Sequence, residues 1–214
     1  MTDSLSSLIL SSNTNDFEAM INHRFVRDIE YQRLSKEVLE RYLLIEGAFV
    51  ETAIAIFGYA VTKTDDLSIR RKLIRSLDTL ANEQMPYFEK TIMVRKISND
   101  QLLLNDPRVV GFRDGMLNLA RDGSFAQIIT SMFAAEWMYW TWCDRVKGVT
   151  FEDSTLKEWV LLHAAPDFAQ QAKWLRDQVD SIALGLTSVE REDLITTFGH
   201  VMRLEIAFHD AAYL

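Results

Sequence analysis

Apolar residues recur along this chain at three- and four-residue steps and almost nowhere alternate with polar ones. That period places them on one face of an α-helix rather than one face of a strand. The pattern predicts a polar tail over residues 1–15 and a first helix over 16–27. A long helix follows over 35–62, opened by Ser35 with Glu37 close behind. Residues 66–94 carry Leu67, Ile69, Leu73, Ile74, Leu77 and Leu80 on apolar faces, and Pro86 is expected to kink that helix. The polar turn Ser98-Asn99-Asp100 leads into a short segment at 101–104. Pro107 opens a helix that runs to Arg121, and Asp122-Gly123 turns the chain into an aromatic-rich helix over 125–147, ended by Gly148. A short helix at 155–163, one from Pro166 to Gly185 and one over 188–212 complete the set. The last is marked by Ser188 followed by Glu190 and Glu192. No repeat, low-complexity tract or flexible linker separates these segments, so a single domain over 16–214 is expected. Helices this long, without strands, must cover their apolar faces against one another, which predicts an all-α multi-helix bundle.

Three glutamates break the pattern. Glu46 interrupts the apolar run 42–50, Glu136 the run 132–140 and Glu205 the run 201–208. A carboxylate on a buried helix face costs several kcal/mol unless it is paired, protonated or used. Runs that converged in one bundle would line a cavity with carboxylates, suited to a cationic or amine-bearing small molecule.

Composition narrows the function classes. At 214 residues the chain can bury a full core, and its 48% apolar and 25% charged fractions are those of a soluble globular protein. A net charge of −8 argues against nucleic acid, which needs a basic footprint. One cysteine, Cys143, leaves no internal disulfide framework and fits a reducing cytoplasm. The first ten residues lack a basic segment followed by a long apolar one, so no signal peptide is expected. Residues 42–62 form the longest apolar stretch, but Glu46 and Glu51 within it would each cost about 2.5–3.5 kcal/mol near a bilayer centre. A bundle helix is the reading, with no membrane partner.

The helix over 125–147 holds three of the five tryptophans and a stripe of Ala135, Tyr139 and Cys143 at four-residue steps. Core packing of a small residue against aromatics explains such a stripe; a buried Tyr139 would need a hydrogen-bond partner, for which a glutamate of another helix is suited. His163, His200 and His209 raise a metal reading, and Glu205 and His209 share a helix face at i,i+4. A di-iron carboxylate bundle needs two Glu-x-x-His motifs and the chain has none, so no metal is expected, and His209 is expected to be partly exposed near the C-terminus. No phosphate-binding glycine loop, Ser-His-Asp arrangement or zinc cysteine cluster is present.

His23-Arg-Phe-Val26 followed by Tyr42-Leu-Leu-Ile-Glu-Gly-Ala-Phe49 resembles the opening helices of the TenA/THI-4 proteins, which include thiaminase II. Ala134-Ala-Glu-Trp-Met-Tyr139 and Glu205-Ile-Ala-Phe208 are similar to two further family motifs, in order and spacing over residues 16–213. The resemblance implies a haem-oxygenase-like helical bundle, a homo-oligomer (tetramer or dimer) and no cofactor. It also implies hydrolysis of an aminomethylpyrimidine, or its N-formyl form, from thiamine breakdown to the hydroxymethyl compound. In the family a cysteine attacks the methylene carbon, a C-terminal glutamate shuttles protons and an acidic residue on an early helix grips the aminopyrimidine.

Carried over by position, Glu205 is the proton-shuttling glutamate, Tyr139 a catalytic-pocket tyrosine and Glu46 the pyrimidine grip, reaching one methylene further than the usual aspartate. Ala135 occupies the cysteine's position. Phe49, Phe112 and His163 stand at substrate-binding positions that are often tyrosine. Cys143 lies eight residues from Ala135, about 12 Å along a helix, so it cannot take over the attack. Three readings follow. A cysteine-less aminohydrolase would use carboxylates, with Glu205 as general acid/base and Glu46 or Glu136 available as a further carboxylate. Glu136 is also suited to a polar contact at a helix or subunit interface, since it is rotated about 100° from Ala135. A non-catalytic or repurposed small-molecule-binding protein of this family, without turnover, and a metal-dependent oxidase on the same fold, are the alternatives.

Overall fold

The computed structural model describes residues 4–214, and among them only helices and connecting turns occur. The helices are α1 (Leu5–Ser12), α2 (Thr14–Ile21), α3 (Arg24–Glu30), α4 (Lys36–Thr62), α5 (Leu67–Thr79), α6 (Met85–Arg95) and α7 (Gln101–Leu104). They continue with α8 (Pro107–Asp122), α9 (Phe125–Val146), α10 (Ser154–His163), α11 (Pro166–Ile182) and α12 (Ser188–Ala211).

The N-terminal segment differs from the expected polar tail. Residues 1–3 of that tail lie outside the described residues, but α1 begins at Leu5, and Leu5 and Ile9 are buried one turn apart. Ser4 caps it, accepting from the Ser7 N–H. Ser6 anchors it on α11: its N–H and Oγ donate to the two oxygens of Asp180 at 2.7 and 2.8 Å. The first expected helix is also divided. Its chain turns at Asn22 and restarts as α3, where the His23 imidazole Nδ1 accepts the Phe25 N–H at 3.1 Å.

Other boundaries follow local chemistry. Ser35 caps α4 by accepting from the Val38 N–H, and Asp66, Asp106 and Asp153 do the same for α5, α8 and α10. The kink expected at Pro86 takes the form of a π-helical turn, Leu80–Gln84, between α5 and α6. A proline removes one N–H and crowds the carbonyl four residues earlier, and a wider turn just upstream relieves both.

The contacts divide the described chain into two compact units. One holds the chain through Leu34 together with Ile129–Ile206; the other holds Ser35–Ile128 and Ala207–Leu214. In the first, Trp142 and Trp159 stack at 5.4 Å, Phe25 meets Trp142 edge-on at 6.4 Å, and Phe133 packs on Phe198 at 5.5 Å. In the second, α4 packs against α5, α6 and α8. Gly47 permits the α4–α6 approach, because a Cβ there would lie 3.1 Å from the Phe88 Cβ. Among the described residues α4 is the one helix long and apolar enough, by length and composition, to cross a membrane; it carries Glu46 and Glu51 and makes these packing contacts.

Candidate active site

In the first unit the aromatic side chains of α9 and α10 converge on His163. Tyr139, 8% exposed, lies 5.7 Å from the Trp159 ring, edge-on, and 5.4 Å from the His163 ring. Trp159 lies 4.1 Å from His163, and Phe168, at the start of α11, lies 4.9 Å from it. The helix fixes the imidazole as well: Nδ1 donates to the Trp159 carbonyl one turn earlier at 2.8 Å. Desolvation among these rings lowers the His163 pKa from 6.5 to about 4, and the carbonyl hydrogen bond opposes it only in part. His163 is therefore a neutral ring above about pH 5.

Ala135 and Glu136 stand on the same helix as Tyr139, both half-buried, whereas Cys143 is fully buried one turn beyond Tyr139. Glu205 on α12 is 0% exposed. Of the three glutamates singled out by the sequence, it alone is fully buried; Glu46 and Glu136 are half-buried.

The second unit gathers another set of rings. Phe49 of α4 and Phe112 of α8 lie 4.4 Å apart, and Phe112 lies 4.6 Å from Phe208 of α12. Phe49 and Phe208 are 6.2 Å apart, so three aromatic side chains form one cluster. Two arginines tether the end of α12 beside it. Arg108, paired with Asp106 at 2.8 Å, also donates to the Asp210 carbonyl at 3.3 Å, and Arg41 donates to the Ala212 carbonyl at 3.4 Å. The Arg108 pairing holds the Asp106 carboxyl below the usual carboxylate range. Glu46 lies one turn after Tyr42 on α4.

His209 corrects an expectation. It is 0% exposed rather than partly exposed, and its ring lies 5.2 Å from that of Tyr42. The final turn of α12 is a packed element, with Ala211 and Ala212 also at 0% exposure, so nearness to the C-terminus does not expose it. Among the described residues no group of three or more His, Cys, Asp or Glu side chains is gathered to hold a metal.

The structure thus brings Tyr139 together with His163, and Phe49 together with Phe112. Sequence reasoning missed Trp159, Phe168 and Phe208 as members of these clusters. It also missed Gln171 on α11, whose amide nitrogen and oxygen are both buried with no hydrogen-bond partner among the described residues. The available signal was a glutamine within the apolar period Phe168, Ala172, Leu175.

The TENA/THI-4/PQQC family model matches residues 14–214. The chain belongs to that family. The aminopyrimidine aminohydrolase of Halalkalibacterium halodurans is 27% identical over 201 residues, covering 92% of this chain and 90% of that protein. A TenA homologue from Pyrococcus furiosus superposes with a TM-score of 0.88 at 23% identity, over 98% of this chain and 100% of its own. A second, from P. horikoshii, gives 0.85 at 16% identity, over 99% of each chain. This TENA/THI-4/PQQC member accordingly has the all-α, haem-oxygenase-like fold.

Proposed function

We propose that this chain is a thiamine-salvage hydrolase that converts an aminomethylpyrimidine to the hydroxymethyl compound with carboxylates in place of a cysteine nucleophile. The observation that carries the reading is Glu205, a fully buried carboxylate on α12, to which the family resemblance assigns the proton-shuttling role. The 27% identity to an aminopyrimidine aminohydrolase supports the substrate class. In the balanced reaction, water adds its oxygen to the methylene carbon, the C–N bond breaks, and the departing amine leaves as ammonia. Glu205 takes the proton from the water and returns one to the leaving nitrogen, the role of a general acid/base. Tyr139 orients the ring, and Ala135 adds no thiol to the reaction. Glu46 keeps the proposed role of gripping the aminopyrimidine edge, tested on its own by the rise in KM of Glu46→Gln. Glu136, half-buried, is proposed as an auxiliary carboxylate.

A second reading, ligand binding without turnover, is favoured by Ala135 and by the mutual packing of Phe49 and Phe112, which offer no hydroxyl to a ligand. Incubation with 4-amino-5-aminomethyl-2-methylpyrimidine, with chromatographic identification of the product, separates the two. Conversion to the hydroxymethyl compound supports the hydrolase; a ligand-induced rise in Tm with the pyrimidine recovered unchanged supports the binder. The same proposal carries a cytoplasmic homo-oligomer, tetramer or dimer, whose assembly sedimentation velocity measures.

A further inference from the structure

His163 offers a hydrogen-bonding group of fixed sign. Its Nδ1 faces the Trp159 carbonyl at 2.8 Å, and a carbonyl oxygen only accepts, so Nδ1 carries the ring proton. Nε2 is then a bare lone pair with no partner among the described residues, on a residue that is half-buried as a whole. The rings of Trp159, Phe168 and Tyr139 at 4.1, 4.9 and 5.4 Å hold the imidazole in place. A tautomer locked in this way cannot rotate to offer an N–H, as a hydroxyl can. Because burial keeps the ring neutral above about pH 5, it does not repel a positive charge brought next to it.

We infer that His163 is the amine acceptor of this protein: Nε2 takes a hydrogen bond from the ammonium arm of a small aromatic ligand and so selects amine over alcohol. A charge-assisted N–H⁺···N bond is about twice as strong as the neutral bond a hydroxyl would make, worth about ten-fold in affinity. In the proposed hydrolysis this favours the aminomethyl substrate over the hydroxymethyl product. The inference rests on the reading of the ligand as an amine-bearing ring, and it assigns selectivity, not bond breaking, to His163.

The test is isothermal titration at pH 7 with two matched pairs: the aminomethylpyrimidine against its hydroxymethyl counterpart, and benzylamine against benzyl alcohol. The wild type should bind the amine about ten-fold tighter in at least one pair. His163→Phe keeps a ring in the aromatic cluster but lacks Nε2; it should bring that ratio toward one while leaving the alcohol's affinity within about two-fold. Nitrogen-15 spectra of the wild type, which need no variant to fold, should show a protonated Nδ1 and a bare Nε2 whose resonance moves when the amine binds. No amine preference in either pair, a preference unchanged in His163→Phe, or a protonated Nε2 would each overturn the inference. Ammonia release with selectivity unchanged in His163→Phe overturns it while leaving the proposed reaction standing; amine-selective binding without ammonia release does the reverse.

Discussion

Replacing His163 by phenylalanine should flatten the acid side of the stability curve. In the native state desolvation holds the His163 pKa at about 4, below its ordinary 6.5. Between those values the unfolded chain binds a proton that the folded chain refuses. Stability therefore rises with pH through this window, is fully present above 6.5, and is lost as pH falls toward 4. At about 1.4 kcal/mol per unit, the whole depression corresponds to about 3 kcal/mol, of which about 2 kcal/mol falls between pH 7 and pH 5. His200 is shifted in the same direction, by desolvation first and Arg203 second, but it is present in both proteins and cancels in their difference. Urea unfolding followed by tryptophan fluorescence at pH 7, 6 and 5 measures the gap, with Trp159 beside the substitution as a reporter. The wild type should lose about 2 kcal/mol more than His163→Phe over that range. Parallel pH profiles for the two proteins would refute the argument, because they would mean that His163 titrates alike folded and unfolded.

Three further outcomes follow from packing and hydrogen bonding. Gly47→Val should cost about 1–3 kcal/mol in urea unfolding, since even a Cβ lies 3.1 Å from Phe88 and two more methyls must push α4 and α6 apart. Phe208→Ala should cost about 3–5 kcal/mol, because the ring lies against both Phe112 and Phe49. Ser6→Ala removes the hydroxyl donor to Asp180 and should cost about 1–2 kcal/mol, with faster amide exchange confined to α1. Unchanged exchange in α1 would show that the serine does not anchor it.

The helices were legible because their apolar residues keep the helical period and their caps are local: Ser35, Asp66 and Asp106 each stop the chain within three residues of the N–H they accept. What was illegible depends on distant partners. The first helix looked like a tail because serines surround Leu5 and Ile9, and the carboxylate that fixes Ser6 lies 174 residues away. The π-helical turn before Pro86 is a response to crowding that periodicity alone does not register. Of the candidate site residues, the burial of Glu205 was legible, because a lone carboxylate stood within an apolar run, and it is fully buried; its role in a site remains a proposal. Glu46 and Glu136 have the same local pattern but stay half-buried, since a run of apolar residues does not tell which flank of the helix meets solvent. The locked tautomer of His163 depends on the Trp159 carbonyl, a backbone group with no signature in the sequence.

The central claim, hydrolysis carried by a buried carboxylate without a cysteine, is tested most directly by ammonia release. Purified protein and its Glu205→Gln variant, matched for Tm, are each given 4-amino-5-aminomethyl-2-methylpyrimidine at neutral pH, and ammonia is followed by a coupled assay. The wild type should release one ammonia per hydroxymethylpyrimidine formed, and Glu205→Gln should lower kcat by about 100-fold or more, the scale of a lost general acid/base. Ammonia release no faster than in buffer, or a Glu205→Gln variant as fast as the wild type, would contradict it.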